Sequence, residues 1–246
     1  MKIFPLSEGS FTIDHSKVFI PFDAQTDNLQ ERPRGSLLVE IQPFLVVTEH
    51  DIILLDTGLG YAKNGVLQII ENLAAVGISS TDVTKVLMSH LHRDHAGALI
   101  MKDSYTGDPF LTFPQARYYI NKYELEFALS GKSSSYDPAY FSFLMHHEKV
   151  TLTEENGMIN SQIKYEMSSG HSLYHQVFWI QEKGETVFFG GDEAPQLQQM
   201  KTRFVAKYDA NGKRAMELRQ GWWTKGEEQH WTFLFYHDIK SPLVSL

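Results

Sequence analysis

The stretch Lys85-Val86-Leu87-Met88-Ser89-His90-Leu91-His92-Arg93-Asp94-His95-Ala96-Gly97 places three histidines and an aspartate within six positions, directly after an apolar run. Val86, Leu87 and Met88 read as a short buried strand. If the chain stays extended beyond them, His90, His92 and Asp94 project to one side, because side chains alternate along a strand. His95 follows where Ala96-Gly97-Ala98-Leu99 opens a helix, so it reaches a second position nearby, the separation that a two-metal site needs. A polar loop with satisfied histidines is the bland alternative, and four metal-competent side chains so close together disfavour it.

Upstream, residues 65–76 carry Val66, Leu67, Ile69, Ile70, Leu73 and Ala74 at helical spacing and stop at Gly77, a C-cap residue. Before that helix, residues 36–47 and 51–55 are β-prone runs that form a hairpin about Thr48-Glu49-His50 and end in Asp56-Thr57-Gly58. Asp56 either caps this turn or sets a polar group at the rim of a sheet. Strand, helix, strand is an α/β crossover, which puts the histidines beyond the carboxyl end of a strand, where open α/β sheets present their ligands. Residues 1–22 suggest another hairpin, and 23–35 read as a loop that crosses the surface or covers a site.

Downstream, residues 104–148 are dense in aromatics, among them Phe110, Phe113, Tyr118, Tyr123, Phe127 and Tyr136. They include a strand at 116–120 and helices at 122–129 and 138–147. This aromatic-rich helical insertion packs on the core or walls a substrate pocket. Apolar strands then end three more times in metal-type residues: at Gly170-His171, at Gly191-Asp192 and at His237-Asp238. Their recurrence implies a common edge. Residues 193–210 read as loop or short helices, 210–221 as a helix, and 231–236 as a last strand before a short tail.

The 246 residues are expected to form a single domain, 1–246, large enough to bury a substantial core. Net charge is -8 and no lysine or arginine run occurs, which argues against non-specific binding to nucleic acid or to an anionic membrane. Without cysteine, metal chemistry must use nitrogen and oxygen ligands. The first nine residues lack a signal-peptide core, and no window approaches a transmembrane span, so the expected location is cytoplasmic.

With these residues assembled, the chain resembles the metallo-β-lactamase superfamily of metal-dependent hydrolases. His90-Leu91-His92-Arg93-Asp94-His95 is similar to its H-x-H-x-D-H signature, Leu55-Asp56-Thr57-Gly58 to its D-T-G, and Gly170-His171, Gly191-Asp192 and Tyr236-His237-Asp238 to its later motifs in order. The resemblance implies an α/β fold, the αββα sandwich of two mixed β-sheets flanked by helices, with a dinuclear metal site on one edge. It implies that His90, His92 and His171 hold one metal, that Asp94, His95 and His237 hold the other, and that Asp192 bridges them. Two divalent ions are implied, Zn2+ first, since imidazole and carboxylate suit it, with Fe or Mn as alternatives. Asp56 becomes a hydrogen-bond acceptor that orients a ligand histidine. Two such ions polarise a bridging water to hydroxide near neutral pH, and Asp94 is the catalytic carboxylate that orients it and passes a proton to the leaving group.

Within the superfamily the nearest look is to the N-acyl-homoserine lactonase-like and esterase members. Those lactonases carry a tyrosine shortly after the bridging aspartate, where this chain has Glu193-Ala194-Pro195; Tyr174 is the candidate replacement in the substrate pocket. The leading expectation is a lactonase-like or esterase-like metallo-hydrolase whose hydroxide attacks the carbonyl of a small-molecule carboxylic ester or lactone. Thioester or phosphodiester hydrolysis on the same site is the alternative, followed by a mononuclear iron dioxygenase or a non-catalytic binding module. Relatives are often dimers, so a homodimer stays open, with no nucleic-acid or membrane partner expected.

Overall fold

Apolar residues occupy both faces of the main strands, so each sheet needs a packing partner on either side. The computed structural model describes residues 1–246 and supplies both partners. Six strands form the first sheet, in the order Lys2–Pro5, Phe44–Val47, Ile52–Leu55, Lys85–Leu87, Arg117–Asn121, Val150–Thr153. Six form the second, in the order Asn156–Met158, Ile163–Met167, Gln176–Glu182, Glu185–Phe189, Thr232–Leu234, Leu243–Ser245. Both sheets are mixed: the first turns parallel from Ile52–Leu55 onward, and the second is antiparallel except between Glu185–Phe189 and Thr232–Leu234.

Alternation along each strand sorts its side chains between two cores. Phe44, Val46, Ile53 and Leu55 of the first sheet meet Phe178, Ile180, Val187 and Phe189 of the second in a shared inner core. Leu45, Leu54 and Val86 face outward, where Ile69 and Leu73 of the helix Gln68–Ala75 and Leu125 and Ala128 of the helix Lys122–Leu129 cover them. On the far side, Val177, Trp179, Phe188 and Phe233 pack against Trp222 of the helix Gly212–Gln229. The layers are therefore helix, sheet, sheet, helix, the αββα sandwich expected from the resemblance.

Several boundaries moved. The run expected at 36–47 breaks at Gln42-Pro43 into Leu37–Ile41 and Phe44–Val47. Leu37–Ile41 joins Gly9–Ile13 and Ile20–Phe22 in a separate three-stranded sheet, while Lys2–Pro5 leaves the expected N-terminal hairpin for the edge of the first sheet. The expected strand at 116–120 is Arg117–Asn121, an interior member of that sheet. Gly77 does end the first helix, at φ +78°, with its N–H on the Ala74 carbonyl and the Ile78 N–H on that of Leu73. The helix expected at 210–221 runs on to Gln229, and a strand at Leu243–Ser245 stands where only a tail was expected. No helix is long and apolar enough to cross a membrane.

Candidate metal centre

Parallel neighbours end at the same edge of a sheet, and this collects the candidate residues. Ile52–Leu55 runs parallel to Lys85–Leu87, so Asp56 and the loop from Ser89 to His92 leave the first sheet side by side. Glu185–Phe189 runs parallel to Thr232–Leu234, so Asp192 and His237 leave the second sheet side by side. His171 follows Ile163–Met167 of that sheet. Two groups of potential ligand atoms result, His90, His92, His171 and Asp192 in one and Asp94, His95 and His237 in the other, each with its atoms within 4.8 Å of one another.

Strand alternation does not put Asp94 with His90 and His92, as the extended reading expected. The strand stops at Leu87, and Arg93–Ala96 is a helical turn with His92 at its N-cap. One turn of helix carries Asp94 and His95 together to the side of His237.

The outer ring nitrogens are committed. His95 Nδ1 faces Asp56 Oδ2 at 2.7 Å, His171 Nδ1 faces Asp209 Oδ1 at 2.9 Å, and His237 Nδ1–H donates to the Glu40 carbonyl at 2.6 Å. Ser89 Oγ donates to Asp56 Oδ2 at 2.6 Å and so accepts from His90 Nδ1–H at 3.0 Å. The Ser89 N–H adds a further bond to Asp56, which is fully buried and held at φ +57°.

With protons on the outer nitrogens, the inner ones carry lone pairs, and they face one another. His92 Nδ1 lies 2.9 Å from His90 Nε2 and 3.1 Å from His171 Nε2, and with the rings neutral, as metal binding requires, these three nitrogens carry at most one proton among them. Asp192 turns Oδ2 to His171 Nε2 at 3.2 Å and Oδ1 to His95 Nε2 and His237 Nε2 at 3.1 and 3.0 Å. His95 Nε2 and Asp192 Oδ1 are nevertheless buried without an aligned hydrogen bond. Lone pairs converging in a buried place repel unless a cation lies between them, so the donor set fits divalent metal.

Charge divides the imidazoles: against burial, Asp192 raises His95, His171 and His237 above the usual imidazole range, whereas His90 and His92 go the other way. Burial, and then neighbouring histidines, push His90 and His92 well below the usual imidazole range. Against the cost of burial, His237, His95 and His171 hold the Asp192 carboxyl well below the usual carboxylate range. Tyr236 stacks on His95 at 4.0 Å and donates to the Asp94 carbonyl, closing the floor.

Most of the supporting residues, His175 excepted, had no signal in the sequence. Asp209 lies in a stretch read as loop, just ahead of a helix, and looks like an ordinary cap residue. Glu193 accepts from the N–H groups of Gly170 and His171, and buried Arg219 reaches back to the Glu193 carbonyl. His175 accepts from the Asp192 N–H at 3.2 Å. Tyr208, about half exposed at 51%, sets its ring 6.1 Å from His171, with its phenol pushed up to about 12 by burial and by Asp192. Tyr174 packs instead on Tyr123 and Phe127, and Tyr136 is the aromatic ring 5.2 Å from His92. A groove of about 500 Å³ beside Trp179, Trp222 and Arg214 lies on the outer face of the second sheet and contains none of these residues.

Residues 40–229 match the family model described as the metallo-beta-lactamase superfamily. Among solved structures, a probable metal-dependent hydrolase from Staphylococcus aureus is similar at 23% identity, covering 99% of this chain and 91% of its own, with a TM-score of 0.79. AidC, a dizinc quorum-quenching lactonase in complex with a product, shares 20% identity over 98% of this chain and 88% of its own, at TM-score 0.73. The hydrolase AbOPH shares 19% over 99% and 89%, also at 0.73. Among curated proteins, none matches the chain by sequence.

Proposed function

This chain belongs to the metallo-beta-lactamase superfamily, and from that premise we propose that it is a dinuclear metallo-hydrolase acting on a carboxylic ester or lactone. The observation that carries the reading is the way Asp192 faces both ligand groups, one oxygen toward His171 and the other toward His95 and His237. On this reading His90, His92 and His171 hold one ion, Asp94, His95 and His237 hold the second, and Asp192 bridges. Zinc is favoured because the donors are imidazole and carboxylate with no thiolate. Bound there, two divalent ions supply an activated water at neutral pH and neutralise charge that develops on a carbonyl oxygen.

The chain's own groups divide the remaining work. Asp94 Oδ2 stands 3.5 Å from His237 Nε2 and 3.8 Å from His95 Nε2, with its side chain still 13% exposed. It is the carboxylate placed to take a proton from water and return it to the leaving alkoxide. Asp56, Asp209 and the Glu40 carbonyl hold three imidazoles in the tautomer that turns Nε2 inward. Tyr208 keeps its proton at neutral pH and supplies a donor beside His171. The lactonase AidC lends support as a dizinc relative in fold.

Elemental analysis of protein purified without added metal tests the proposal, paired with Asp192→Ala and with assays on lactones, esters and thioesters. Two zinc ions per chain, reduced in the variant, together with ester or lactone turnover are the expected results. One iron per chain that survives loss of Asp192, or turnover of phosphodiesters alone, would overturn it.

A further inference from the structure

Between Gly9–Ile13 and Ile20–Phe22 the chain turns at Lys17, held at φ +58°, a left-handed conformation uncommon for a side chain of this size. The turn carries the Lys17 ammonium across to a distant part of the sequence. Lys17 Nζ donates to Ser135 Oγ at 2.8 Å and to Ser134 Oγ at 3.2 Å. Ser135 directly precedes Tyr136, the ring 5.2 Å from His92. The ammonium therefore ties the hairpin to the segment that carries Tyr136 beside the metal centre.

The partners of Lys17 are two hydroxyls and not a carboxylate. Hydroxyls orient an ammonium without neutralising it, and each can itself donate to an anion. In an acidic chain, at net charge -8, this ammonium has no carboxylate partner. Such a placement acts on specificity: a charge-assisted hydrogen bond to a substrate oxyanion is stronger than a neutral one, and a neutral substrate gains nothing from it.

We propose that Lys17, oriented by Ser134 and Ser135, selects substrates bearing an anionic group, a carboxylate or a phosphate, away from the bond that is cleaved. The inference rests on the ester or lactone hydrolase reading and adds the substrate class to it. Lys17 takes no part in bond breaking; it orients the substrate through its charged end.

The test compares three 4-nitrophenyl esters on metal-loaded protein: the neutral butyrate, the glutaric acid monoester and the 3-phosphonopropionate. Wild type is expected to favour the charged esters, and whichever of the two gains more identifies carboxylate or phosphate. Lys17→Gln is expected to lower the charged-to-neutral ratio of kcat/KM about tenfold, through KM, while Lys17→Arg retains it and added salt erodes it. Lys213→Gln, which removes an equal charge from the distant helix Gly212–Gln229, controls for net charge. A ratio unchanged by Lys17→Gln, or lowered equally by the control, overturns the proposal. Equilibrium binding of the unreactive 4-nitroanilide of glutaric acid separates the two readings. If no ester is cleaved, the hydrolase reading fails, and tighter binding to wild type than to Lys17→Gln still decides for the anion site. Equal binding decides against it.

Discussion

Single side chains in this molecule show how burial converts into measurable linkage. Glu8 is 5% exposed; its Oε2 accepts from the Leu59 N–H at 2.7 Å, while Oε1 has no partner. Burial, aided by the charge of Asp94 and opposed by backbone N–H groups, pushes the carboxyl up to about 8. The folded chain then keeps a proton that the unfolded chain releases above pH ~4.5, so stability falls as pH rises through that window and levels off above about 8. The slope from this one group is at most about 1.4 kcal/mol per pH unit. Glu8→Gln, which does not titrate, is expected to gain stability relative to wild type between pH 5 and pH 8, read from urea midpoints at each pH. A difference that stays flat with pH would show that Glu8 ionises normally.

Asp209 makes a second case at this scale. Its carboxylate faces His171 Nδ1 at 2.9 Å with a side chain only 2% exposed. Asp209→Ala is expected to weaken metal binding roughly 10- to 100-fold, by chelator competition, since a ligand histidine loses the partner that sets its tautomer and orientation. Unaltered affinity would reduce Asp209 to a packing residue. The seven proposed ligands and Asp56 were legible in the sequence because each belongs to a short motif that follows an apolar strand. Asp209, Glu193 and Lys17 were not, because their partners lie 38, 23 and 118 positions away and no local spacing encodes such pairings.

At the scale of elements, local pattern placed the end of the first helix at Gly77 and missed the end of the last. The helix expected to end at Gly221 continues two turns because its glycines serve different purposes. A methyl group at Gly221 would meet nothing within 4 Å, whereas one at Gly226 would lie 2.3 Å from the Phe233 ring. Phe233 is fully buried between Trp223, Trp231 and Phe235 and has no room to yield. Gly221→Ala is therefore expected to stabilise by about 0.5–1 kcal/mol through helix propensity. Gly226→Ala should destabilise by about 1–3 kcal/mol, because overpacking outweighs the same gain. Opposite signs in urea unfolding are the signature; a shared sign would mean that the helix does not dock through Gly226. The sequence pattern also placed Asp94 on an extended strand. Periodicity could not show that the strand ends at Leu87 and that a helical turn begins at Arg93.

For the whole molecule, the edge where the sheets meet is also where they are joined. His90, His92, Asp94 and His95 follow a strand of the first sheet, whereas His171, Asp192 and His237 follow strands of the second. The proposed metal pair thus bridges both halves of the sandwich, across the inner core formed by Phe44, Val46, Phe178 and Phe189. An unfolded chain does not preserve this arrangement, so metal that binds the folded form adds its binding free energy to folding. At a free concentration a hundred times the dissociation constant the gain is about 2.7 kcal/mol per site. For a chain of this size that corresponds to a rise in Tm of roughly 5–10 °C. Chelation, which empties both proposed sites, should lower Tm by about twice that amount in a single transition, and added zinc should restore it in proportion to the logarithm of its concentration. Asp192→Ala, lacking the carboxylate that faces both groups, should show a smaller response. If chelation leaves Tm unchanged, or melts one half before the other, the metal does not tie the two sheets together.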